Sequence, residues 1–394
     1  MTTFDLAPAL RARQNQGLYR FRQTLTSAQK PEVWVNGHRY LAFCSNNYLG
    51  LADHPTIISA FQKAANKYGV GGGASHLTVG HSEPHHLLEE ELAEFTGRDR
   101  ALLYANGYMA NLGVIPALLS KKDGIFLDRL NHASLMDAGL LSTASFKRYR
   151  HCCCQHLEEK LQKTSANRKL IVTDGVFSMD GDIAPLGKLP AITKQHNAWL
   201  MIDDAHGFGV LGDNGGGVAE HFNLSQQELP ILMGTLGKAF GCYGAFVVGS
   251  HDLIETLIQF SRTYIYTTSI PPAVTEASRA SLKLIRSEHW RRDHLKKLIS
   301  YFRQHCQASG IEITASSTPI QPLVVGSASV ATAISNALAS KNILVSAIRP
   351  PTVPAGTSRL RIALSAAHTF EHIDYLLEIL GQVVGRYAMK ETPA

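Results

Sequence analysis

Apolar positions along the chain fall into short runs separated by stretches with helical spacing. Runs of strand length between residues 100 and 250 are RALLYAN (100–106), GIFLD (124–128), LIVTDG (170–175), AWLMIDD (198–204), PILMGT (230–235) and GAFVVGS (244–250). Strands that are apolar almost throughout are typical of a parallel sheet covered by helices on both faces. The pattern therefore predicts one large, mostly parallel α/β layer, which we place in residues 51–290.

The pattern changes on both sides of this layer. Residues 1–50 predict an N-terminal arm, with a helical segment that continues through Arg20 and Arg22 and then a hairpin. The hairpin turn is predicted at Asn36-Gly37, a dipeptide that type I′ turns favour. Residues 291–394 predict a smaller α+β domain. Its predicted elements are a helix at its start, a strand pair at 311–314 and 320–326, a helix over 329–341 and a final helix over 370–388.

Composition narrows the class of protein. The chain has 394 residues, of which 45% are hydrophobic and 18% charged, so it can bury enough apolar surface to fold without long disordered tracts. No run approaches the roughly 20 apolar residues that cross a bilayer, and the N-terminus lacks the apolar core of a secretion signal. We therefore expect a cytoplasmic protein that does not enter the membrane.

The charged residues and cysteines exclude two further classes. The net charge is +6, and lysines and arginines are scattered along the chain, which favours small acidic or phosphorylated ligands over nucleic acid. The six cysteines are too sparse for a disulfide framework. Cys152, Cys153 and Cys154, between His151 and His156, could suggest a metal site. Neighbours on an extended chain point to opposite faces, so we expect a partly buried strand edge and no metal.

Lys238 is the first candidate for chemistry. It lies in GTLGKAFG, directly after a predicted strand, where ligands of parallel sheets bind. A lysine among small residues is easily desolvated, which favours the neutral amine that forms a Schiff base. A phosphate-binding loop is excluded, because it would require Gly at 232 and Ser or Thr at 239, where this chain has Leu232 and Ala239. The alternative is a solvated surface lysine.

Asp203 and His206 follow the preceding strand. Asp203 ends the apolar run AWLMIDD, and a buried carboxylate there needs a charged partner. Alone, the Asp-x-x-His pair could equally be half of a metal site. Together with Lys238 it suits pyridoxal 5'-phosphate, which requires an acid at its ring nitrogen and a lysine at its aldehyde.

The chain resembles the α-oxoamine synthases, fold-type-I pyridoxal-phosphate transferases related to aspartate aminotransferase, over nearly its whole length. The segments that carry the resemblance are SNNYLGL (45–51), GVGGGASHLTVG (69–80), DRLNHASL (128–135), DGVFSMDGDIAPL (174–186), DDAHGFGVLG (203–212), GTLGKAFG (234–241) and YTTSIPP (266–272). One departure from the family pattern is Gly73-Ala74-Ser75-His76, which affects the expected acyl-site contacts there.

The resemblance implies a role for each matching residue. It makes Lys238 the lysine that holds pyridoxal 5'-phosphate as a Schiff base, with Asp203 at the ring nitrogen and His132 stacked on the ring. It assigns Ser178 and His206 to the ring hydroxyl, and Gly107, Tyr108 and Thr235 to the phosphate. The alternatives are structural: His132 as a core histidine and Ser178 as a turn cap.

The substrate side is implied in the same way. Arg361 is the expected clamp on the amino-acid carboxylate, with Arg349 and Asn46 as competing candidates. Arg20 and Thr352 are expected at the acyl substrate, although a solvated helix face explains Arg20 as well. Thr267 and Thr268 are expected to reach the phosphate from a second subunit, which implies a homodimer.

The C-terminal segments 320–326 and 347–368 narrow the implied activity. They resemble the family branch that condenses L-alanine with a pimeloyl thioester in biotin biosynthesis. The thioester carrier, coenzyme A or acyl carrier protein, stays open, because both are acidic. Alternatives are a synthase that joins glycine or serine to another acyl-CoA, such as a 2-amino-3-oxobutyrate CoA ligase, an aminotransferase or aldolase of the same fold, and a non-catalytic binding protein.

Overall fold

A computed structural model describes residues 4–388 and divides them into two compact units. One unit comprises residues 49–178 and 182–293; the other comprises the rest, including the segment 179–181. The strands are β1 (Glu32–Val35), β2 (His38–Ala42), β3 (Arg100–Tyr104), β4 (Gly124–Asp128), β5 (Ser145–Tyr149), β6 (Lys169–Asp174), β7 (Trp199–Asp203), β8 (Ile231–Thr235), β9 (Ala245–Gly249), β10 (Ile320–Gly326), β11 (Ile343–Leu344), β12 (Ser346–Ile348) and β13 (Ser358–Ala363).

The helices occupy the intervals between these strands. They are α1 (Ala7–Asn15), α2 (Pro55–Tyr68), α3 (Glu83–Thr96), α4 (Gly107–Leu118), α5 (Ala133–Leu141), α6 (Cys154–Gln162), α7 (Leu189–Gln195), α8 (Gly217–His221), α9 (His251–Phe260), α10 (Arg262–Ile265), α11 (Pro272–Ser287), α12 (Trp290–Ala308), α13 (Ala328–Ala339) and α14 (Phe370–Ala388), with a π-helix at His76–Gly80. None of the described helices is both long and apolar enough to cross a lipid bilayer.

The larger unit contains a sheet of seven strands in the order β3-β9-β8-β7-β6-β4-β5. All six predicted strands are present, and β4 to β8 pair in parallel. β9 is antiparallel to both neighbours, because the connection after β8 is too short for the crossover of a dozen or more residues that parallel strands need. That connection contains Lys238.

Burial explains why these strands form. β4 and β9 are buried at every position, and helices α4, α5 and α9 contribute apolar side chains to the same core. β5 was not predicted, because only Tyr149 of its five residues is buried. An exposed edge strand carries little apolar signal.

The hairpin of the smaller unit forms as predicted. β1 and β2 pair antiparallel with Val35 opposite His38. Asn36 and Gly37 have φ of 49° and 80°, the positive values that a type I′ turn requires. The second sheet of this unit has the order β10-β13-β12.

Three predictions about local structure are wrong. The first helix ends at Asn15 and does not reach Arg20 or Arg22, because Gly17 adopts a left-handed φ of 65°. IEIT at 311–314 is not a strand, and β10 pairs with β13 instead. Thr314 donates its N–H to the carbonyl of Pro322, which has no N–H to continue a ladder.

The third wrong prediction concerns the cysteines. The segment 151–152 forms a turn in which Cys152 has φ of 50°, and Cys154 begins α6. The triplet is therefore a strand-to-helix connection and not a strand edge. The extended geometry assumed for it does not apply.

Candidate active site

Lys238 and His206 meet near the ends of neighbouring strands of the large sheet. His206 follows β7 by three residues and is buried, and Lys238 follows β8 by three residues. The Lys238 Nζ lies 2.8 Å from the His206 Nε2. The two residues that the sequence placed at separate strand ends are thus in direct contact.

Asp203 occupies the last position of β7 and is only 4% exposed. Its Oδ1 accepts the Ala205 N–H at 3.0 Å, and its Oδ2 accepts the Asn111 Nδ2–H at 2.7 Å. A carboxylate held by two donors in this way is fixed in orientation, and it keeps lone pairs for a further cation or N–H group.

A second carboxylate stands beside Asp203. Asp174 ends β6 directly opposite Asp203 in the strand register, and it is also buried. Burial raises the pKa of Asp174 well above its usual range, and the charge of Asp203 raises it further. Asp174 accepts the backbone N–H of His132 at 2.8 Å, so it anchors the start of the loop that carries that histidine.

His132 is the N-cap of α5. Its Nδ1 lies 2.8 Å from the Ser134 Oγ and also accepts the Ser134 backbone N–H at 3.3 Å. Desolvation lowers the pKa of His132, and the charge of Asp203 opposes this shift. The residue is exposed, and its imidazole is oriented by the hydrogen bonds of its own helix cap.

The predicted phosphate-binding residues lie at a helix start and a strand end. Gly107 and Tyr108 are the first two residues of α4, where backbone N–H groups lack intrahelical acceptors and attract anions. Asn106 caps this helix by accepting the Met109 N–H. The Thr235 hydroxyl donates to the Gly244 carbonyl at 3.0 Å and accepts from the Gly237 N–H, so it is already engaged within the chain.

Ser178 begins a turn at 178–180, just after an isolated bridge between Val176 and Ile183. Within this loop the Phe177 N–H donates to the Asp182 carbonyl. The fold thus supplies the turn environment that a purely structural interpretation of Ser178 requires.

In the smaller unit, Arg361 belongs to β13 and is 6% exposed. Its Nη2 lies 3.1 Å from the Asn46 Oδ1 and 3.2 Å from the Tyr48 hydroxyl oxygen. Tyr48 also donates to Asn46 at 3.0 Å. Two of the three candidates for carboxylate binding, Arg361 and Asn46, are therefore one hydrogen-bonded group.

The remaining substrate candidates of this unit lie elsewhere. Arg349 donates to the carbonyl of Gly17 at 2.6 Å and so ties down the chain after α1. Arg20 is exposed in the irregular segment after that helix, and Thr352 is exposed in the loop after β12. Arg349 thus contacts the backbone after α1, whereas Arg361 contacts the side chains of Asn46 and Tyr48.

Three residues in this region were not singled out from the sequence: Asn111, Ser134 and Asp174. Asn111 lies 2.9 Å from Ser134 and bonds to Asp203, and both Asn111 and Ser134 are buried. For Asn111, the sequence does contain an indication, because this polar side chain interrupts the apolar helical run GYMANLGVIPALL. Buried polar groups require partners, so such an isolated Asn predicts a specific contact but not its identity.

His151 forms a separate polar cluster. Its Nδ1 lies 2.9 Å from Asp128 and its Nε2 2.8 Å from Asp182. Burial works to lower the pKa of His151, but the two carboxylates outweigh it and raise the pKa to about 12. Asp128, His151 and Cys152 lie close enough to hold a metal ion. Both ring nitrogens of His151 are engaged by carboxylates, and these two ion pairs account for the contacts of the cluster.

The larger unit fits the predicted cofactor. It contains an amine, an oriented buried carboxylate, an imidazole that caps a helix, and the first turn of another helix. These are the groups that pyridoxal phosphate requires. This arrangement defines a class of protein, and the chain belongs to the aminotransferase class I and II family, whose model matches residues 38–380. The family membership confirms the predicted fold class.

Two relatives of this chain carry the same, more specific enzyme name. The 8-amino-7-oxononanoate synthase of Cellvibrio japonicus is 59% identical over 385 residues, which cover 98% of this chain and 97% of the relative. The enzyme of the same name from Stutzerimonas stutzeri is 60% identical over 380 residues, 96% of this chain and 97% of that one.

Solved structures give the same family. A serine palmitoyltransferase from S. paucimobilis superposes with a TM-score of 0.92 at 30% identity and covers 98% of both chains. An 8-amino-7-oxononanoate synthase from Francisella tularensis has a TM-score of 0.77 at 34% identity, covering 89% of this chain and 99% of that one.

Proposed function

We propose that this chain condenses L-alanine with a pimeloyl thioester to 8-amino-7-oxononanoate, releasing carbon dioxide and the free thiol carrier, as a step of biotin biosynthesis. The observation that carries the proposal is the contact of Lys238 with His206, next to the buried carboxylate of Asp203. Identity of 59% over nearly the full length to a relative named for this product supports the proposal.

The proposed cofactor is pyridoxal 5'-phosphate. When bound, it withdraws electrons from the α-carbon of an amino acid, which is the chemistry that the fold positions but cannot supply itself. Lys238 would hold its aldehyde carbon and Asp203 its ring nitrogen, with His132, Ser178 and His206 around the ring. Gly107, Tyr108 and Thr235 would bind the phosphate, for which the hydroxyl of Thr235 turns from its present acceptor, Gly244.

The residues of the chain divide the proton chemistry between them. Lys238 removes the α-proton of alanine once its amine is free, because its contact with His206 provides a neighbouring proton acceptor. Asp203 keeps a proton on the ring nitrogen, since an adjacent negative charge favours the cationic partner. His132 polarises the thioester carbonyl by hydrogen bonding.

Arg361 is the proposed clamp on the alanine carboxylate. Its guanidinium is buried and oriented by Asn46 and Tyr48, as bidentate recognition requires. Arg349 stays a second candidate, although its contact with Gly17 occupies one nitrogen. Arg20 and Thr352, both exposed, are proposed to contact the acyl chain or its carrier.

A second candidate function is a serine palmitoyltransferase activity, favoured by the TM-score of 0.92 to the S. paucimobilis enzyme. A matrix of alanine, serine and glycine against pimeloyl-CoA and palmitoyl-CoA separates the two, with thiol release and product mass as readouts. We expect turnover with alanine and pimeloyl-CoA only. Turnover with serine and palmitoyl-CoA instead would overturn the proposal.

The remaining partners are part of the same proposal. The acyl carrier is coenzyme A or acyl carrier protein, and the comparison of pimeloyl-CoA with pimeloyl-acyl carrier protein as donor decides between them. We propose a homodimer in which Thr267 and Thr268 complete the phosphate site of the partner subunit. We also propose that the enzyme works in the cytoplasm.

A further inference from the structure

A chain of hydrogen bonds joins the two functional side chains His132 and Asp203. The His132 Nδ1 lies 2.8 Å from the Ser134 Oγ, the Ser134 Oγ lies 2.9 Å from the Asn111 Nδ2, and that nitrogen lies 2.7 Å from the Asp203 Oδ2. Asn111, Ser134 and Asp203 are each less than 5% exposed, so water does not compete for the two bonds that join them, whereas His132 at the end of the chain of bonds is exposed.

The direction of each bond follows from the donors available. A carboxylate accepts hydrogen bonds and does not donate them, so the Asn111 group facing Asp203 is its amide NH2. The same nitrogen contacts Ser134, so Asn111 donates one amide hydrogen to Asp203 and the other to Ser134. The Ser134 oxygen is therefore the acceptor in its bond with Asn111. The single Ser134 hydroxyl hydrogen is then left for the His132 Nδ1.

Nδ1 of His132 is therefore an acceptor. The backbone N–H of Ser134 at 3.3 Å points to the same conclusion, because it donates to that nitrogen as well. We propose that Asn111 and Ser134 are positioning residues. By hydrogen bonding from the carboxylate of Asp203 to His132, they fix His132 as the neutral imidazole with its hydrogen on Nε2. Desolvation lowers the pKa of His132, which is a shift in the direction of the neutral form.

The position of the ring hydrogen limits what His132 can do in the reaction. An imidazole with hydrogen only on Nε2 is a hydrogen-bond donor at that nitrogen and has no lone pair there to act as a base. His132 then serves as an electrophilic donor to an oxygen, while proton removal is left to Lys238. This role rests on the proposed function, whereas the tautomer itself is a property of the folded chain.

The tautomer can be measured without turnover. Imidazole-15N-labelled protein, with and without pyridoxal phosphate, gives separate shifts for protonated and unprotonated ring nitrogens. Among the 18 histidines, the His132 signals are those lost in His132→Gln. We expect an unprotonated Nδ1 and a protonated Nε2 in the native chain. A protonated Nδ1 in the native chain overturns the proposal.

Ser134→Ala tests the chain of hydrogen bonds from Asp203 through Asn111 and Ser134 to His132, which we call the relay. Ser142→Ala is the matched control. Ser142 is a buried serine directly after α5 whose hydroxyl donates to the Gly139 carbonyl and is not connected to the chain of bonds. In Ser134→Ala we expect part of the His132 population to move its hydrogen to Nδ1, and kcat to fall about tenfold with little change in the KM for L-alanine. Ser142→Ala should change neither.

Two outcomes separate this inference from the proposed function. Unchanged His132 signals in Ser134→Ala, with kcat equal to that of Ser142→Ala, would reject the relay even in an active enzyme. A native chain that shows the expected tautomer, and loses it in Ser134→Ala, supports the relay even where alanine and pimeloyl-CoA give no product. In that case only the proposed function fails.

Discussion

Lys238 Nζ and His206 Nε2 are 2.8 Å apart, although the residues are separated by 32 positions in the chain. Each side chain follows a different strand, and β7 and β8 are adjacent and parallel. The contact therefore exists because the carboxyl ends of parallel strands share one edge of the sheet. It gives the lysine amine a proton-exchanging neighbour.

Lys238→Ala should abolish turnover while leaving the fold intact. The side chain is not part of the apolar core, and the proposed nucleophile and base are both lost with it. We expect a fall in kcat of at least about 10³-fold and loss of the visible absorbance that the bound cofactor shows in the native enzyme. Circular dichroism should match the native protein. A coloured, active variant would reject the assignment.

Asp203→Asn should separate cofactor binding from catalysis. An amide keeps the shape of the side chain and can accept the Asn111 hydrogen, but it carries no charge to hold a proton on the ring nitrogen. We expect bound cofactor and a fall in kcat of at least about 100-fold. Near-native kcat in this variant would contradict the proposed role of Asp203.

Asp204→Asn is the matched control for that variant. Asp204 is fully buried and accepts the Val218 N–H at 2.8 Å, and burial raises its pKa well above the usual range. Burial disfavours the charged form of this carboxyl, so a neutral amide of the same shape should replace it with little loss. We expect kcat within about twofold of native and a free energy of unfolding within about 1 kcal/mol at neutral pH. A loss as large as in Asp203→Asn would mean that both carboxyls serve the reaction.

His151→Gln should destabilise the fold in a pH-dependent way. Asp128 and Asp182 raise the pKa of His151 from 6.5 to about 12 against the effect of burial. A raised pKa means that the ion pairs contribute fully below about pH 6.5 and are lost as the pH rises towards about 12. We expect a loss of about 2 kcal/mol, reduced for partial exposure, that shrinks between about pH 7 and about pH 10.

Urea unfolding across that pH range measures the free energy of unfolding of each variant. Asp182→Asn, alone and combined with His151→Gln, completes a double-mutant cycle. The double variant should be little less stable than His151→Gln alone, because the two residues share one interaction. Additive losses, or a difference that does not change with pH, would show that His151 is not charged in the folded protein.

Arg361→Lys tests the proposed carboxylate clamp. Lysine keeps the charge but loses the planar fork, so the KM for L-alanine should rise about tenfold or more with a smaller change in the KM for the thioester. Arg303→Lys is the matched control, because Arg303 donates to Gln321 and to the Thr314 carbonyl in the same unit. The same measurement on Arg349→Lys decides between the two candidates: a larger rise there would transfer the role to Arg349.

Much of the site was accessible from the sequence, for reasons that particular residues illustrate. Lys238 and His206 follow apolar runs and Asp203 ends one, and a parallel sheet places such residues on one edge whatever the helices between them do. His132 and Ser178 came only from resemblance to a family. Their local sequence gives no reason for their chemistry, since a helix cap and a turn residue look the same in any fold.

The errors also have physical causes. The helix predicted through Arg22 stops because Gly17 takes a left-handed conformation, and helical spacing alone does not locate such a stop. IEIT has the composition of a strand, but its neighbour contains Pro322, and pairing depends on the partner as much as on the segment.

The sequence by itself determined the alternation of strands and helices and the residues at the strand ends, because burial imposes a period that each segment carries locally. Only the tertiary structure decided that Asn111 meets Asp203 across 92 positions, that Ser134 connects it to His132, and that Asp174 lies opposite Asp203. Those contacts depend on the strand order and on how α4 and α5 pack, which no local pattern encodes. The direction of hydrogen bonding at His132, and with it the proposed division of labour with Lys238, therefore belongs to the fold.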